Sequence, residues 1–171
     1  DPDSFSYTVD AALTTSPTEL SAAVANGWIN EGIICWVAPV RVPGTIPLYR
    51  LYHAASSDHL STANWDESRQ VMARGYVLEG VVGYVFPRDA AVNGMAPLHR
   101  YYSGGDSTYH MYTLDPAKYG GNTYDGVDSL VWSGKERITS ITLTAPKPGE
   151  ELKGASQYDI SWNSSARGGY V

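Results

Sequence analysis

Apolar and polar positions alternate over short stretches of this chain, and the same order of stretches returns along it. The alternation is clearest at Pro47–Tyr52 and Pro97–Tyr102, and each of these stretches predicts a β-strand. Shorter stretches at Asp58–Thr62 and Tyr109–Thr113 predict a second strand beside each of them. The pattern therefore predicts two strand pairs whose first strands begin 50 residues apart.

The sequence signature of a short helix follows each predicted strand pair. Ser16 is a candidate N-cap, with Pro17 at the first helical position and Glu19 at the third. Asn64 and Asp115 occupy the corresponding N-cap positions further along, and the third helix is expected to be about a turn shorter. Glycines are expected to end the three helices, because glycine tolerates the left-handed cap conformation. These are Gly27, Gly75 and Gly120.

A glycine, three variable residues, an acid and a second glycine form a phrase that occurs three times. Its acids are Glu31, Glu79 and Asp125, spaced 48 and 46 residues apart. A period of this size indicates tandem copies of one supersecondary unit. An apolar run after each acid predicts a third strand, at Ile33–Val37, Val81–Phe86 and Val127–Trp132.

Three copies of a strand-strand-helix-strand unit are therefore predicted, over residues 3–46, 47–96 and 97–135. Such a unit cannot bury its apolar face alone, so we expect the copies to share one core. The expected fold is mainly β with short helices, a pseudo-threefold closed ring that is trefoil-like or like a small three-bladed propeller, in a domain at 1–135. Copy one is degenerate, because Asp10–Thr14 takes the place of its second strand and carries Ala11 where the others have His.

Composition narrows the possible functions. The net charge of −6 and the lack of any Lys/Arg cluster argue against nucleic-acid binding, and no apolar run is long enough for a membrane span. The 13 Tyr and 5 Trp suit half-exposed binding surfaces, although β-propensity explains most of them equally well. The single Cys35 lies in an apolar run and is expected to be a buried structural thiol.

Each of copies two and three combines an arginine on its first strand with the acid before its third. The pairs are Arg50 with Glu79 and Arg100 with Asp125. They could recognise a polar ligand, or they could be a repeated ion pair that holds strand register, and the second interpretation is favoured. Glu31 has no such arginine, so its donors are expected to be backbone N–H groups or a residue of a neighbouring copy.

His59 and His110 lie near a predicted turn in copies two and three, with Tyr52 and Tyr102 shortly before them. They could line a shallow polar and aromatic pocket, or each could be a core histidine bonded to a backbone carbonyl. One histidine per copy is a poor zinc site, and no cofactor or metal is expected. No nucleophile, metalloprotease or phosphate-loop motif is present, so catalytic residues are not predicted.

Copy two closely resembles a known repeat family of uncharacterised function. The resemblance rests on Pro47–Tyr52, Asp58-His59, Gly75-Tyr76 and the stretch from Glu79-Gly80 to Phe86, is good in copy three and partial in copy one, and covers about three quarters of the chain. The family occurs in secreted fungal and bacterial proteins, often beside cell-wall-directed enzymes. The resemblance implies an extracellular, non-catalytic module without an established ligand.

Residues 136–171 form a separate region. The stretches Ile138–Pro146 and Tyr158–Trp162 resemble the opening strands of the immunoglobulin-like domain of fungal Ser/Thr-rich, wall-associated proteins. A complete domain of that kind needs about seven strands. This incomplete tail is therefore expected to dock on the core, to pair with another copy or a partner protein, or to be the remnant of proteolysis.

The leading functional prediction is a secreted lectin-like protein that binds cell-wall or surface glycans without catalysis. A protein-interaction module, such as an inhibitor or wall-assembly adaptor, is the alternative, and a wall-polymer hydrolase is the least favoured. Four residues in each of two copies are the predicted ligand contacts. They are Arg50, Tyr52, His59, Trp65, Arg100, Tyr102, His110 and Tyr112.

Overall fold

The computed structural model describes residues 10–104 and 109–134, together with the backbone of two later strands. Contacts divide the chain into two units, Asp1–Ser133 and Gly134–Val171. The described elements of the first unit are two helices and six strands. They are α1 (Pro17–Ala25), β1 (Ile46–His53), β2 (Asp58–Thr62), α2 (Trp65–Met72), β3 (Val77–Pro87), β4 (Ala96–Tyr102), β5 (His110–Thr113) and β6 (Thr123–Val131).

The six strands form one antiparallel sheet in the order β2-β1-β3-β6-β4-β5. The sheet curls into half a barrel, and β2 and β5 are its outer strands. The prediction of a mainly β protein with short helices is confirmed. Within the described residues, no helix is long and apolar enough to cross a membrane.

Copies two and three pair their strands in the same way. In each, the first strand lies between the second and the third, with Tyr52 opposite His59 in one copy and Tyr102 opposite His110 in the other. The register of the first strand against the third also shifts at the same two places in each copy. The shifts lie before and after Tyr49-Arg50 in copy two, and before and after His99-Arg100 in copy three. The strands predicted for these two copies are thus found, within a few residues of their predicted ends.

Both observed helices begin as predicted. The Ser16 hydroxyl accepts a hydrogen bond from the Glu19 N–H at 3.2 Å, and Asn64 caps α2 by accepting from the Glu67 N–H at 3.3 Å. Gly75, shortly after α2, has a φ of 102°, which an L-residue rarely adopts. Local capping chemistry was sufficient to locate these helices.

Copy one departs from its predicted strands. The segment 10–14 is not a strand, and the predicted strand Ile33–Val37 is reduced to an isolated bridge at Trp36. In copy two, β1 lies between the corresponding segments and supplies both with backbone partners. No described residue of copy one takes that place between its two segments.

The third predicted helix, after Asp115, is absent. Residues 116–121 form turns, in which the Lys118 N–H donates to the Asp115 carbonyl at 3.1 Å and the Gly120 N–H to the Ala117 carbonyl at 3.4 Å. These bonds span three residues rather than four. The segment is too short to repay helix nucleation before the flexible pair Gly120-Gly121 begins.

The segments that follow the repeated acid in the three copies meet pairwise at corresponding positions. The counting starts from the repeated acid, which is Glu31, Glu79 or Asp125. At each contact, the residue seven places after the acid of one copy lies opposite the residue five places after the acid of the next copy. The pairs are Ala38 with Tyr84, Phe86 with Leu130, and Trp132 with Trp36. Each copy is therefore in backbone contact with both of the others.

One hydrophobic core draws on all three copies, as predicted. Leu48 and Leu98 occupy the same position on β1 and β4 and are almost completely buried. Val85 and Val131 lie beside them, and Val37 of copy one, at the corresponding position, packs against the same cluster. The valine six places after the repeated acid in each copy, Val37, Val85 or Val131, thus belongs to the core or packs against it.

Cys35 packs against this core and is half-buried. Burial raises the pKa of its thiol to about 11, so little of the reactive thiolate is present at neutral pH. This agrees with a structural thiol rather than a nucleophile.

The second unit contains two described strands, β7 (Ile141–Ala145) and β8 (Ser161–Ser164), which pair antiparallel. The remainder of the predicted immunoglobulin-like tail lies outside the described residues.

Leu48→Ala should lower the free energy of unfolding by about 2–5 kcal/mol, because it opens a cavity where two copies meet in the core. Urea unfolding followed by tryptophan fluorescence measures the change. Val40→Ala, at an exposed apolar position, is the matched control and should change stability by less than about 0.5 kcal/mol. Equal effects of the two substitutions would contradict the shared core.

Candidate functional site

Each histidine predicted for the site is held by an aspartate of the preceding copy. Asp10 accepts a hydrogen bond from the His59 backbone N–H at 2.9 Å, and its other carboxylate oxygen lies 2.5 Å from His59 Nδ1. Asp58 binds His110 in the same way, at 2.9 and 2.8 Å. The partner of each ring is therefore a carboxylate and not the backbone carbonyl of the core-histidine interpretation. Both rings are fixed from a neighbouring copy.

Arg50 is shared between two carboxylates from different copies. Its Nε lies 2.6 Å from Glu79 of the same copy, as the sequence predicted. Its Nη2 and Nη1 donate to the two oxygens of Glu19, on α1 of copy one, at 2.5 and 3.1 Å. Nη1 also donates to the Leu13 carbonyl at 2.9 Å. The bidentate partner comes from a position that sequence reasoning assigned only to helix capping.

Arg100 repeats the arrangement in copy three. Its Nε lies 2.6 Å from Asp125, while Nη2 and Nη1 donate to Glu67 of α2 at 2.6 and 3.0 Å. Asp128 adds a third carboxylate, 3.7 Å from Nη1. Because these groups bind each other closely, the interpretation of a repeated structural ion pair is supported for both arginines.

Glu31 of copy one binds Lys118 of copy three, whose Nζ lies 2.8 Å away. This confirms that a neighbouring copy supplies its donor. Lys118 follows Asp115 by three residues, as Glu19 follows Ser16 and so occupies the corresponding position. Lys118 therefore binds the repeated acid directly, whereas at the other two junctions an arginine links that acid to a helix glutamate.

Aromatic rings surround His59 at the junction of copies one and two. The ring of Tyr52 lies over it at 4.5 Å between centroids, and the ring of Trp28 meets it edge-on at 5.9 Å. His59 Nε2 lies 3.5 Å from a Glu79 oxygen. Trp28 retains 39% of its surface, so an aromatic face, an imidazole and a carboxylate are presented together.

The junction of copies two and three is built from similar parts but is more closed. Tyr76 occupies the position of Trp28, and its hydroxyl donates to Asp58 at 2.5 Å. Its ring stacks on His53 at 4.8 Å, while Tyr102 lies 6.4 Å from His110. The tyrosine is thus bound within the protein, whereas Trp28 is not tied to Asp10 in this way.

A small cavity of about 160 Å³ lies beside Arg50. Its lining includes Thr14, Glu19, Glu79 and residues 80–82 of β3. A larger groove of about 690 Å³ is lined mainly by copy one and also reaches Arg50 and His59. The junction of copies one and two therefore adjoins both openings.

The structure brings together six of the eight predicted contact residues in two sets of three. Arg50, Tyr52 and His59 lie at the junction of copies one and two, and Arg100, Tyr102 and His110 lie at the junction of copies two and three. Trp65, by contrast, packs its ring on Tyr49 at 4.9 Å and lines neither cavity. Tyr112 borders the groove but is buried, and its hydroxyl accepts from the Ser61 N–H and donates to the Ser61 carbonyl, both at 2.7 Å. The hydrogen-bonding capacity of Tyr112 is therefore used inside the fold.

Sequence reasoning missed Trp28, Asp10 and Glu19 as parts of this site. A signal for Trp28 was present, because an aromatic residue follows the first glycine of the repeated phrase in copies one and two. For Asp10 and Glu19 no local signal existed, since each acts on a residue at least 31 positions away. Within the described residues, no group of histidine, cysteine and carboxylate side chains could hold a metal ion.

Three carboxyl groups at the junction of copies two and three have shifted pKa values. Burial alone would raise the pKa of Asp58, but hydrogen bonds from His110 and Tyr76 outweigh it and hold the pKa below its ordinary value. Burial is likewise outweighed by Arg100 at Glu67, whose pKa is lowered. At Asp128 burial prevails over the nearby arginine, and the pKa is raised.

A sequence profile of the family described as a domain of unknown function (DUF5648) matches residues 6–126. The chain belongs to this family. No curated protein and no solved structure matches it. The matched region includes the repeated phrases of all three copies and both histidine junctions.

Arg100→Ala should lower the free energy of unfolding by about 3 kcal/mol, because it removes a buried cation and leaves Glu67 and Asp125, each about one third exposed, without their partner. Arg69→Ala, which removes an exposed arginine 3.8 Å from Asp66, is the matched control and should cost less than about 1 kcal/mol. Urea unfolding at pH 7 compares them. A small effect at Arg100 would show that the ion pairs do not hold the copies together.

Stability should fall on acidification through the Asp58 carboxyl. Since its folded pKa is lowered, its ionised form stabilises the fold above the unfolded pKa of about 3.9, and this contribution is lost as pH falls through the folded value. Asp58→Asn should therefore be less stable than the parent at pH 7, with a difference that narrows below about pH 4. Urea midpoints across this range measure the difference.

Asp66→Asn, at an exposed position of α2, is the control for this experiment and should differ little from the parent at any pH. If the stability difference between Asp58→Asn and the parent stayed constant between pH 7 and pH 3, the aspartate would act through its shape rather than its charge.

Proposed function

We propose that this domain is a secreted, non-catalytic carbohydrate-binding module that recognises cell-wall or surface glycans. The observation that carries the proposal is the half-exposed Trp28 ring, edge-on to His59, whose Nε2 lies 3.5 Å from the Glu79 carboxylate. Aromatic faces pack on the apolar face of a sugar ring, while carboxylate and guanidinium groups hold its hydroxyls by directional hydrogen bonds.

The polar groups at this junction are already oriented. Glu79 and Arg50 are held to one another at 2.6 Å, and Asp10 fixes the His59 ring. Rigid polar groups lose little conformational entropy when they bind a ligand, which favours recognition of a weakly binding sugar. Glu79 nevertheless keeps about 30% of its side chain exposed, so it can still accept a hydroxyl.

A pseudo-threefold ring of copies is the arrangement we propose around this site. The three strand junctions at corresponding positions, and the contact of Lys118 with Glu31, support it. The junction of copies two and three carries the same three residue types, but Tyr76 closes it, so the sugar site that we propose is the junction of copies one and two.

Binding rather than catalysis is the activity proposed for these carboxylates. A glycoside hydrolase needs a carboxylic acid that donates a proton, whereas the hydrogen bond from Arg50 holds the pKa of Glu19 below its ordinary value. The proposal therefore assigns no catalytic residue and no cofactor.

Trp28→Ala should reduce the affinity for any glycan that the domain binds by at least about tenfold, since burying a large apolar side chain contributes about 1.5–3 kcal/mol. The glycan is first found by screening the protein on a glycan array and on insoluble wall polysaccharides. Isothermal titration of the parent and the variant then measures the loss.

Trp65→Ala is the matched control, because Trp65 is similarly exposed at 44% but lies beside Tyr49. Its affinity should stay within about twofold of the parent. If no polysaccharide binds at all, or if Trp65→Ala abolishes binding and Trp28→Ala does not, the proposed site is wrong.

A further inference from the structure

The guanidinium of Arg50 is almost fully used inside the protein. Of its five N–H groups, four already donate, with Nε bound to Glu79, Nη1 to Glu19 and to the Leu13 carbonyl, and Nη2 to Glu19. The Arg50 side chain is also only 14% exposed. One N–H group is therefore left for a ligand, which is too few for a bidentate bond to a carboxylate or sulfate.

Glu79, by contrast, keeps acceptor capacity for a ligand. Its Oε2 accepts from Arg50 Nε at 2.6 Å and lies 3.5 Å from His59 Nε2. No hydrogen bond from the described residues reaches its other oxygen, Oε1, and the side chain lines the cavity beside Arg50. A carboxylate has about four lone-pair sites, so Glu79 can accept further bonds from the hydroxyl groups of a ligand.

The charged groups at this junction are more negative than positive. The carboxylates of Asp10, Glu19 and Glu79 are paired with the guanidinium of Arg50 and the imidazole of His59. Even with His59 protonated, three negative charges stand against two positive charges. A further anion would meet an excess of like charge, and none of these groups offers it an unpaired cation.

The corresponding position in copy three shows how an additional carboxyl group behaves beside such a cluster. Asp128 stands where copy two has Val82, which lines the small cavity. Its carboxyl group lies 3.7 Å from Arg100 Nη1, but Arg100 already binds Glu67 and Asp125. Burial raises the pKa of Asp128, and Arg100 does not offset it. A guanidinium that two carboxylates share thus fails to compensate the burial of a third.

We propose that the sugar site at the junction of copies one and two selects uncharged glycans and excludes acidic ones. The hydroxyl groups of an uncharged sugar donate to Glu79, while the sugar ring packs against Trp28. A uronic acid, a sialic acid or a sulfated sugar brings an anion that the carboxylates repel and that Arg50 cannot hold by two bonds. This inference rests on the proposed function, because it concerns the same site.

The first test is a glycan array that carries uncharged, carboxylated and sulfated glycans, probed with the full chain and with Trp28→Ala. We expect binding to uncharged glycans alone, and we expect Trp28→Ala to weaken it. An acidic glycan bound through Trp28 would overturn the selectivity and leave the sugar site standing. Binding to no glycan of any class, or binding that Trp28→Ala leaves unchanged, would overturn the sugar site and the selectivity with it.

Isothermal titration then compares each uncharged glycan that the array identifies with the same glycan oxidised to the carboxylate at C6, such as cello-oligosaccharides and their glucuronate forms. The carboxylated form should bind at least about tenfold more weakly, and the difference should narrow from about 0.05 M to about 1 M NaCl, because salt screens the repulsion between charges. Equal affinity for the two forms would overturn the proposal. A difference that salt leaves unchanged would overturn charge as its cause.

Glu19→Gln removes one of the two carboxylates that share Arg50, while glutamine still suits this position of a helix start. The carboxylated glycan should then gain at least about threefold in affinity relative to the uncharged one, because less negative charge opposes it. Circular dichroism verifies the fold. If Glu19→Gln does not fold, the comparison of the two glycans in the parent decides the proposal.

Asp66→Asn is the matched control, because it removes the same charge from an exposed position of α2. The ratio of the two affinities should stay as in the parent. If Asp66→Asn changed this ratio as much as Glu19→Gln does, the selectivity would follow the net charge of the domain, and the assignment to this site would be overturned.

Discussion

Contacts between oppositely charged side chains of neighbouring copies are the constraint on which this structure depends. Arg50 and Arg100 each lie between an acid of their own copy and a helix glutamate of the preceding one, and the two histidines are held by aspartates across the same junctions. A half-buried guanidinium without these carboxylates would be strongly unfavourable. The junctions therefore orient the copies while the shared apolar core supplies most of the stability.

The same contacts explain why one junction differs from another. Where Tyr76 reaches Asp58, the aromatic ring is bound by its hydroxyl, and the junction is closed. Trp28 lacks a hydroxyl, so its ring meets His59 by its edge and part of its surface stays exposed. A difference of one aromatic residue at corresponding positions thus decides which junction offers a surface to a ligand.

Copy one has diverged most, and its divergence is compensated from copy three. It lacks the arginine and the histidine of the other copies, yet Glu31 is still paired, because Lys118 stands where α1 and α2 carry glutamate. Copy three thus carries a base, Lys118, where copies one and two carry an acid, and this base pairs with Glu31 in place of the arginine that copy one lacks.

Sequence by itself determined the local elements. The alternation at Pro47–Tyr52, the caps at Ser16 and Asn64 and the return of the acid every 46 or 48 residues located strands, helices and copies, because capping and alternation act over a few residues. Only the tertiary structure decided the site. Asp10 reaches His59 across 49 positions, and no local pattern encodes a contact between side chains brought together by folding.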